Sequence, residues 1–212
     1  MNGKTLPGDI NRLEKNIGKI NWDKIDQKYR APLDKFYKNF LEDLKKLRIE
    51  ETKSGNKKFK VNRFEKRLKE LFETVVGDRA KVTDERPKLQ LRKDFEDCFK
   101  PNKKKEIDIK IAKTERGDTS PVFYIEIKYN LTIDHLGAAL VEAIITKRNN
   151  KDKFFVISFY ETGRKRGNIN YKELCKKSPF REYIDGVVCF GPEFDPELRD
   201  VVELLREIDT AY

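Results

Sequence analysis

Asp108, Glu126 and Lys128 are the residues whose types and spacing could do chemistry in this chain. Residues 106–111 ("EIDIKI") and 122–129 alternate apolar and polar side chains, and the turn-rich "TERGDTSP" lies between them. That pattern predicts a β-hairpin with a loop longer than the tight types. Side chains alternate across a strand, so Ile107, Ile109 and Ile111 share one face of the first strand and Glu106, Asp108 and Lys110 the other. On the second strand, "YIEIKYN", Ile125 and Ile127 share one face and Glu126 and Lys128 the other. Asp108 then lies on the strand beside Glu126, with Lys128 two residues further along the same face. Two converging carboxylates are costly unless a cation lies between them. Magnesium suits one or two carboxylates, water and phosphate oxygens. A neighbouring lysine can orient or deprotonate a water, or stabilise charge on a phosphate. This is chemistry for phosphodiester hydrolysis. The residue types alone also allow a solvated strand face carrying a Glu–Lys pair.

Such residues need a frame. Residues 1–31 are polar, with a weak helical pattern around "DINRLEKNI". A clear helix follows, with Pro32 in its first turn and Leu33, Phe36, Tyr37, Phe40, Leu41, Leu44 and Leu47 at helical spacing. Residues 50–58 read as a polar connection. The next helix, "NRFEKRLKELFETVVG", has Asn62 as N-cap, an apolar stripe through Phe64, Leu68, Leu71, Phe72 and Val75, and Gly77 as its stop. Within residues 79–100, "KLQLRKDF" is the expected strand. After the hairpin comes a helix, "DHLGAALVEAIITK". Leu136, Ala139, Leu140, Ala143 and Ile144 face inward, and Gly137 and Ala138 are small enough for close approach to a sheet. "KFFVISFY" reads as a central strand and "IDGVVCFG" as another. Asp195 and Pro196 cap a last helix carrying Leu198, Val201, Val202, Leu205 and Ile208. The expected fold is α/β: a mixed central sheet flanked by helices, with an N-terminal helical extension over 1–60 and the main domain over 61–212.

In that order, "RFEKRLKELFE", "EIDIKI", "YIEIKYN", "DHLGAALVEAII" and "KFFVISFY" resemble the core of the PD-(D/E)XK nuclease superfamily across residues 62–190. The likeness is closest to archaeal Holliday-junction resolvases, and the chain is also similar to small nucleases of spindle-shaped viruses of hyperthermophilic archaea. The resemblance implies a restriction-endonuclease-like core and Mg2+- or Mn2+-dependent endonuclease activity on DNA, directed at branched or junction structures. It implies Asp108, Glu126 and the backbone carbonyl of Ile127 as metal ligands, and Lys128 as the catalytic lysine. Glu65 would be the family's helix glutamate. Glu70 and Glu73 are the alternatives, and Asn62 with Glu65 three residues on also forms a capping-box pattern. Ile107 stands where the family name has proline, and the helix after Lys128 lacks the Gln or Lys that some branches add; His135 and Glu142 are polar residues there. His135 is expected to serve packing or capping. A protein that keeps the fold and binds nucleic acid without cutting it is the rival reading, and a chain whose charges only solubilise an interaction module is a third.

Charge fits a polyanion partner. The formal net charge is +10, and 40% of residues are charged. Residues 147–181 carry 11 Lys or Arg against 3 Asp or Glu, whereas 182–212 carry 2 against 9, an asymmetry that implies an oriented surface. Arg164, Lys165 and Arg166, between two glycines, could contact phosphates without reading sequence. They could equally form a solvated turn. Three scattered cysteines, Cys98, Cys175 and Cys189, give neither a CxxC pair nor a disulfide framework, and they speak against the four-cysteine iron–sulfur branch of the family. Abundant Lys and Glu with few Gln resemble thermophile composition. No run of 18 apolar residues and no hydrophobic leader is present, so the expected setting is cytoplasmic, with the host cytoplasm included, and without membrane contact. Junction cleavage needs two sites, hence an expected homodimer.

Overall fold

Alternation along "FYIEIKYNL" divides the protein into two layers around one sheet. The structure is a computed structural model that describes residues 7–54, 58–84, 107–113, 120–147, 151–161, 170–193 and 195–212. In chain order its elements are α1 (Pro7–Ile17), a 3-10 turn (Trp22–Lys24), α2 (Gln27–Ser54), α3 (Lys58–Val76), a second 3-10 turn (Gly77–Arg79), β1 (Lys81–Thr83), β2 (Ile109–Ala112), β3 (Phe123–Leu131), α4 (Ile133–Thr146), β4 (Lys153–Glu161), α5 (Tyr171–Cys175), α6 (Phe180–Tyr183), β5 (Gly186–Cys189) and α7 (Arg199–Ala211). The sheet is mixed and its strand order is β1-β2-β3-β4-β5. β1, β2 and β3 pair antiparallel, while β3, β4 and β5 pair parallel. The expected class, α/β with a mixed sheet and helices before it, is what the chain adopts.

One sheet face carries Ile125, Ile127, Phe155, Ile157 and Phe159 against α1, α2, α3 and α7. The other carries Tyr124, Phe154 and Val156 against Leu136, Ala139 and Ala143 of α4 and Tyr171 of α5. Aromatic rings dominate the first layer: Phe40 lies 4.9 Å and Phe64 5.4 Å from Phe159, and Phe36 lies 5.3 Å from Phe190. Rings at these separations add about 0.5–1.5 kcal/mol per pair beyond their burial. α2 belongs to this core through Leu33, Phe36, Tyr37, Phe40 and Leu44. Arg67 fixes α3 to α2 by a two-pronged contact with buried Asp43, at 2.7 and 3.0 Å.

Several local expectations change. α2 starts five residues before Pro32 and runs on to Ser54, so Pro32 lies inside the helix and most of the expected 50–58 connection is helical. Asn62 lies within α3, not at its cap, because the helix already begins at Lys58. Gly77 ends it as expected, at φ 55°, a conformation glycine adopts without steric cost. α7 begins at Arg199, three residues after Pro196, yet Asp195 still caps it by accepting from the backbone N–H of Arg199 at 2.7 Å. On α4, Glu142, Ile145 and Thr146 are buried while Leu140 and Ile144 are only partly so. A Cβ on Gly137 would meet nothing within 4 Å, so its smallness does not serve sheet packing. The expected strand "KLQLRKDF" lies outside the described residues.

Candidate active site

The antiparallel ladder between β2 and β3 ends at Ile109, which pairs with Ile125. One residue earlier the pleat breaks. Ile107 joins the α4-side core, whereas Ile109 and Ile111 join the opposite one, so the expectation that all three share a face does not hold. The physical reason lies in Asp108: its Oδ2 accepts the backbone N–H of Ile127 at 2.7 Å. A short carboxylate here takes the place of a ladder acceptor and turns the chain. Along an extended strand a residue's N–H and C=O leave on the same side. The Ile127 carbonyl therefore also looks toward the β2 side, where Asp108 stands.

Glu126 and Lys128 follow β3's alternation onto the α4 face. Glu126 is buried, 5% exposed, and its Oε1 accepts from Lys128 Nζ. Burial, the Asp108 charge and the Glu142 charge push the Glu126 carboxyl up to about 8 against the opposing pull of Lys128. Burial would lower the Lys128 ammonium, but Glu126, Asp108 and Glu142 outweigh it and hold it above its ordinary value. Glu142 thus belongs to the site electrically. It faces inward from α4 between Ala139 and Ala143. Its signal in the sequence was a carboxylate on the small-residue face of an otherwise apolar helix. His135 does what a capping residue does: its ring bonds the Asn130 carbonyl at 3.0 Å and its N–H meets the Thr132 cap.

Glu65 is half-buried on α3, against the sheet face opposite α4. Phe64 packs on Tyr129 and Phe159 at 6.2 and 5.4 Å, so this turn of α3 lies at the Lys128 end of the sheet. Glu70 is bound to Arg67 at 2.6 Å and Glu73 approaches Lys69 at 3.9 Å, and both stand one to two helical turns further from that end. With Asn62 exposed inside the helix, the capping-box alternative for Glu65 falls away. Arg164, Lys165 and Arg166 lie outside the described residues.

The chain matches no family model, no curated protein and no solved structure. Among the described residues no three His, Cys, Asp or Glu side chains gather tightly enough to enclose a metal ion. Two carboxylates and a strand carbonyl remain, and a hard cation that keeps several waters needs no more protein ligands than these. Burial first, and then the negative charge of Asp108 and Glu142, raise Glu126, and that charge is what such a cation would relieve. Among the described residues no helix is long and apolar enough to cross a membrane.

Proposed function

We propose that this protein is a metal-dependent endonuclease that hydrolyses DNA phosphodiester bonds. The observation that carries the reading is the convergence of Asp108, Glu126 and Lys128 where β2 leaves β3, with Asp108 on the Ile127 amide and Lys128 on Glu126. The succession of α3, three antiparallel strands, α4 and a parallel strand supports it, being the order of the PD-(D/E)XK core. Asp108, Glu126 and the Ile127 carbonyl would hold Mg2+ or Mn2+. A divalent cation bound there supplies an activated water and neutralises phosphate charge. Lys128 sets one positive charge beside the scissile phosphate. Glu65 is the carboxylate that the family resemblance would add from α3, a helix that packs on the sheet face opposite Glu126 and Lys128. Branched or junction DNA is the preferred substrate, with the chain working as a homodimer so that two sites act on one junction, in the cytoplasm.

Incubation with branched, single-stranded and linear duplex DNA, with Mg2+, Mn2+ or neither, tests this. Metal-dependent cleavage with preference for the branched form is expected. DNA binding with no cleavage under any condition would replace the nuclease by a non-catalytic binding protein, and loss of both would leave an interaction module.

A further inference from the structure

We propose that Ser158 is a positioning residue whose buried hydroxyl receives the Lys128 ammonium when Glu126 turns away from it. The purpose assigned to this movement rests on the nuclease reading; its geometry does not.

Ser158 is the polar residue in the middle of "VISFY" on β4, a strand otherwise filled with large apolar side chains. It is 0% exposed, and its Oγ has no hydrogen-bond partner among the described residues. A buried hydroxyl left unsatisfied is destabilising, and alanine would avoid the cost. A partner in a second arrangement of the site accounts for its presence.

Register identifies that partner. Ser158 is the Cα neighbour of Lys128 on β3 and of Cys189 on β5. Alternation puts it on the α4 face beside Lys128, since Val156 two residues earlier lies in the α4-side core. Cys189 gives its thiol to the Phe159 carbonyl at 3.4 Å and so does not serve Ser158. The β4 neighbour of Glu126 is Val156, which has no acceptor. Of Ser158's strand neighbours, Lys128 combines a donor with a long, flexible stem. At present its Nζ lies on Glu126 Oε1, an atom that a cation or a substrate would claim. Once Glu126 is so engaged, Ser158 Oγ offers Lys128 a fixed acceptor, which keeps the ammonium aimed along the sheet rather than free to rotate. No covalent bond changes, only a hydrogen-bond acceptor.

The test is a melting cycle on the full chain: native, Ser158→Ala, Glu126→Ala and the double variant, with Glu126→Leu, which likewise offers Lys128 no acceptor, in place of Glu126→Ala where the latter does not fold. In the native background Ser158→Ala leaves the melting temperature unchanged or raises it. In the Glu126 variant, where Lys128 has moved to Ser158, the same change lowers it by a few degrees. An equal effect in both backgrounds overturns the proposal. In cleavage assays Ser158→Ala lowers kcat about tenfold, the loss of one oriented hydrogen bond, at unchanged KM for DNA, and Ser158→Thr retains native kcat. Native kcat in Ser158→Ala overturns it too. Should the native chain cleave nothing, the nuclease reading fails and the melting cycle still decides the fate of Ser158.

Discussion

Replacing Asp209 by asparagine removes the charge on which three elements meet. Asp209, on α7, is 6% exposed. It accepts from Lys28 and Tyr29 of α2, the latter at 2.9 Å, and from Arg79 at 2.5 Å. Burial alone would raise its carboxyl, but hydrogen bonds from Lys28, Arg79 and Tyr29 prevail and hold it at about 2 instead of 3.8. Burial, and then the same contact with Asp209, push the Tyr29 phenol up to about 12. The difference between 3.8 and about 2 corresponds to about 2.4 kcal/mol of stability at neutral pH. Lys28 and Arg79 are 59% and 43% exposed, and solvent screening brings this to about 1–2 kcal/mol. The folded value is depressed, so the contribution is complete above the unfolded value and is lost as pH falls through about 2. By linkage about half of it remains at pH 3. Asp209→Asn is therefore expected to melt about 3–8 °C below the native chain at pH 7, with the gap about halved at pH 3. Circular dichroism melts across pH 3–7 measure it. A variant melting within 1 °C of native at pH 7, or a gap that does not narrow on acidification, refutes the reasoning.

Other outcomes follow from the site and the packing. Lys128→Ala should reduce metal-dependent cleavage about 100- to 10,000-fold, the usual range for loss of a group acting on the reacting phosphate, with DNA binding retained in a gel-shift assay. Glu126→Gln should abolish cleavage yet raise the melting temperature, because it removes a buried charge beside two other carboxylates. As that carboxyl is pushed up to about 8, the gain grows as pH rises from 5 to 9, and a fall in melting temperature at pH 9 would count against the assignment. Gly186→Ala should cost about 1–3 kcal/mol in a denaturant titration, since a Cβ there would stand 2.9 Å from the Phe155 ring. Glu65→Gln should impair cleavage where Glu70→Gln and Glu73→Gln do not; equal loss in all three would remove Glu65 from the site.

Legibility of the fold in the sequence tracked period and length. The helical stripes of α2, α3 and α7 state which faces are buried, and the buried residues follow them; the alternation of β3 instead divides its residues between two cores, with Phe123 through Ile127 all buried. Boundaries fared worse. Propensity does not forbid Pro32 from a helix interior when the packing of Tyr29 and Leu33 extends that helix upstream. The site was legible as residues but not as geometry. Asp108, Glu126 and Lys128 stand out by type and spacing. That Asp108 reaches across to an amide and breaks its strand's pleat depends on where β2 parts from β3, a tertiary event. Glu142 was hidden because one carboxylate on a helix is common, and only the direction in which α4 faces makes it part of the charge cluster. Ser158 was hidden in an apolar run, and its meaning comes from register alone.

The sheet has another consequence, for the history of each molecule. Spatial strand order equals chain order, so during synthesis each strand can join the edge left by the one before it, with no gap held open for a later arrival. The N-terminal helices have no such freedom. The Asn21 N–H bonds the Pro196 carbonyl at 2.9 Å, the Tyr37 hydroxyl bonds the Phe190 carbonyl at 2.7 Å, and α2 holds Asp209. These are contacts between the first fifty residues and the last twenty-three. The topology lets the sheet grow outward strand by strand, whereas α1 and α2 gain these contacts only once residues 190–209 are made. Arrival of α7 closes the larger core. A ribosome stalled before it would hold the sheet edge that carries Asp108, Glu126 and Lys128 on a body still open at the back.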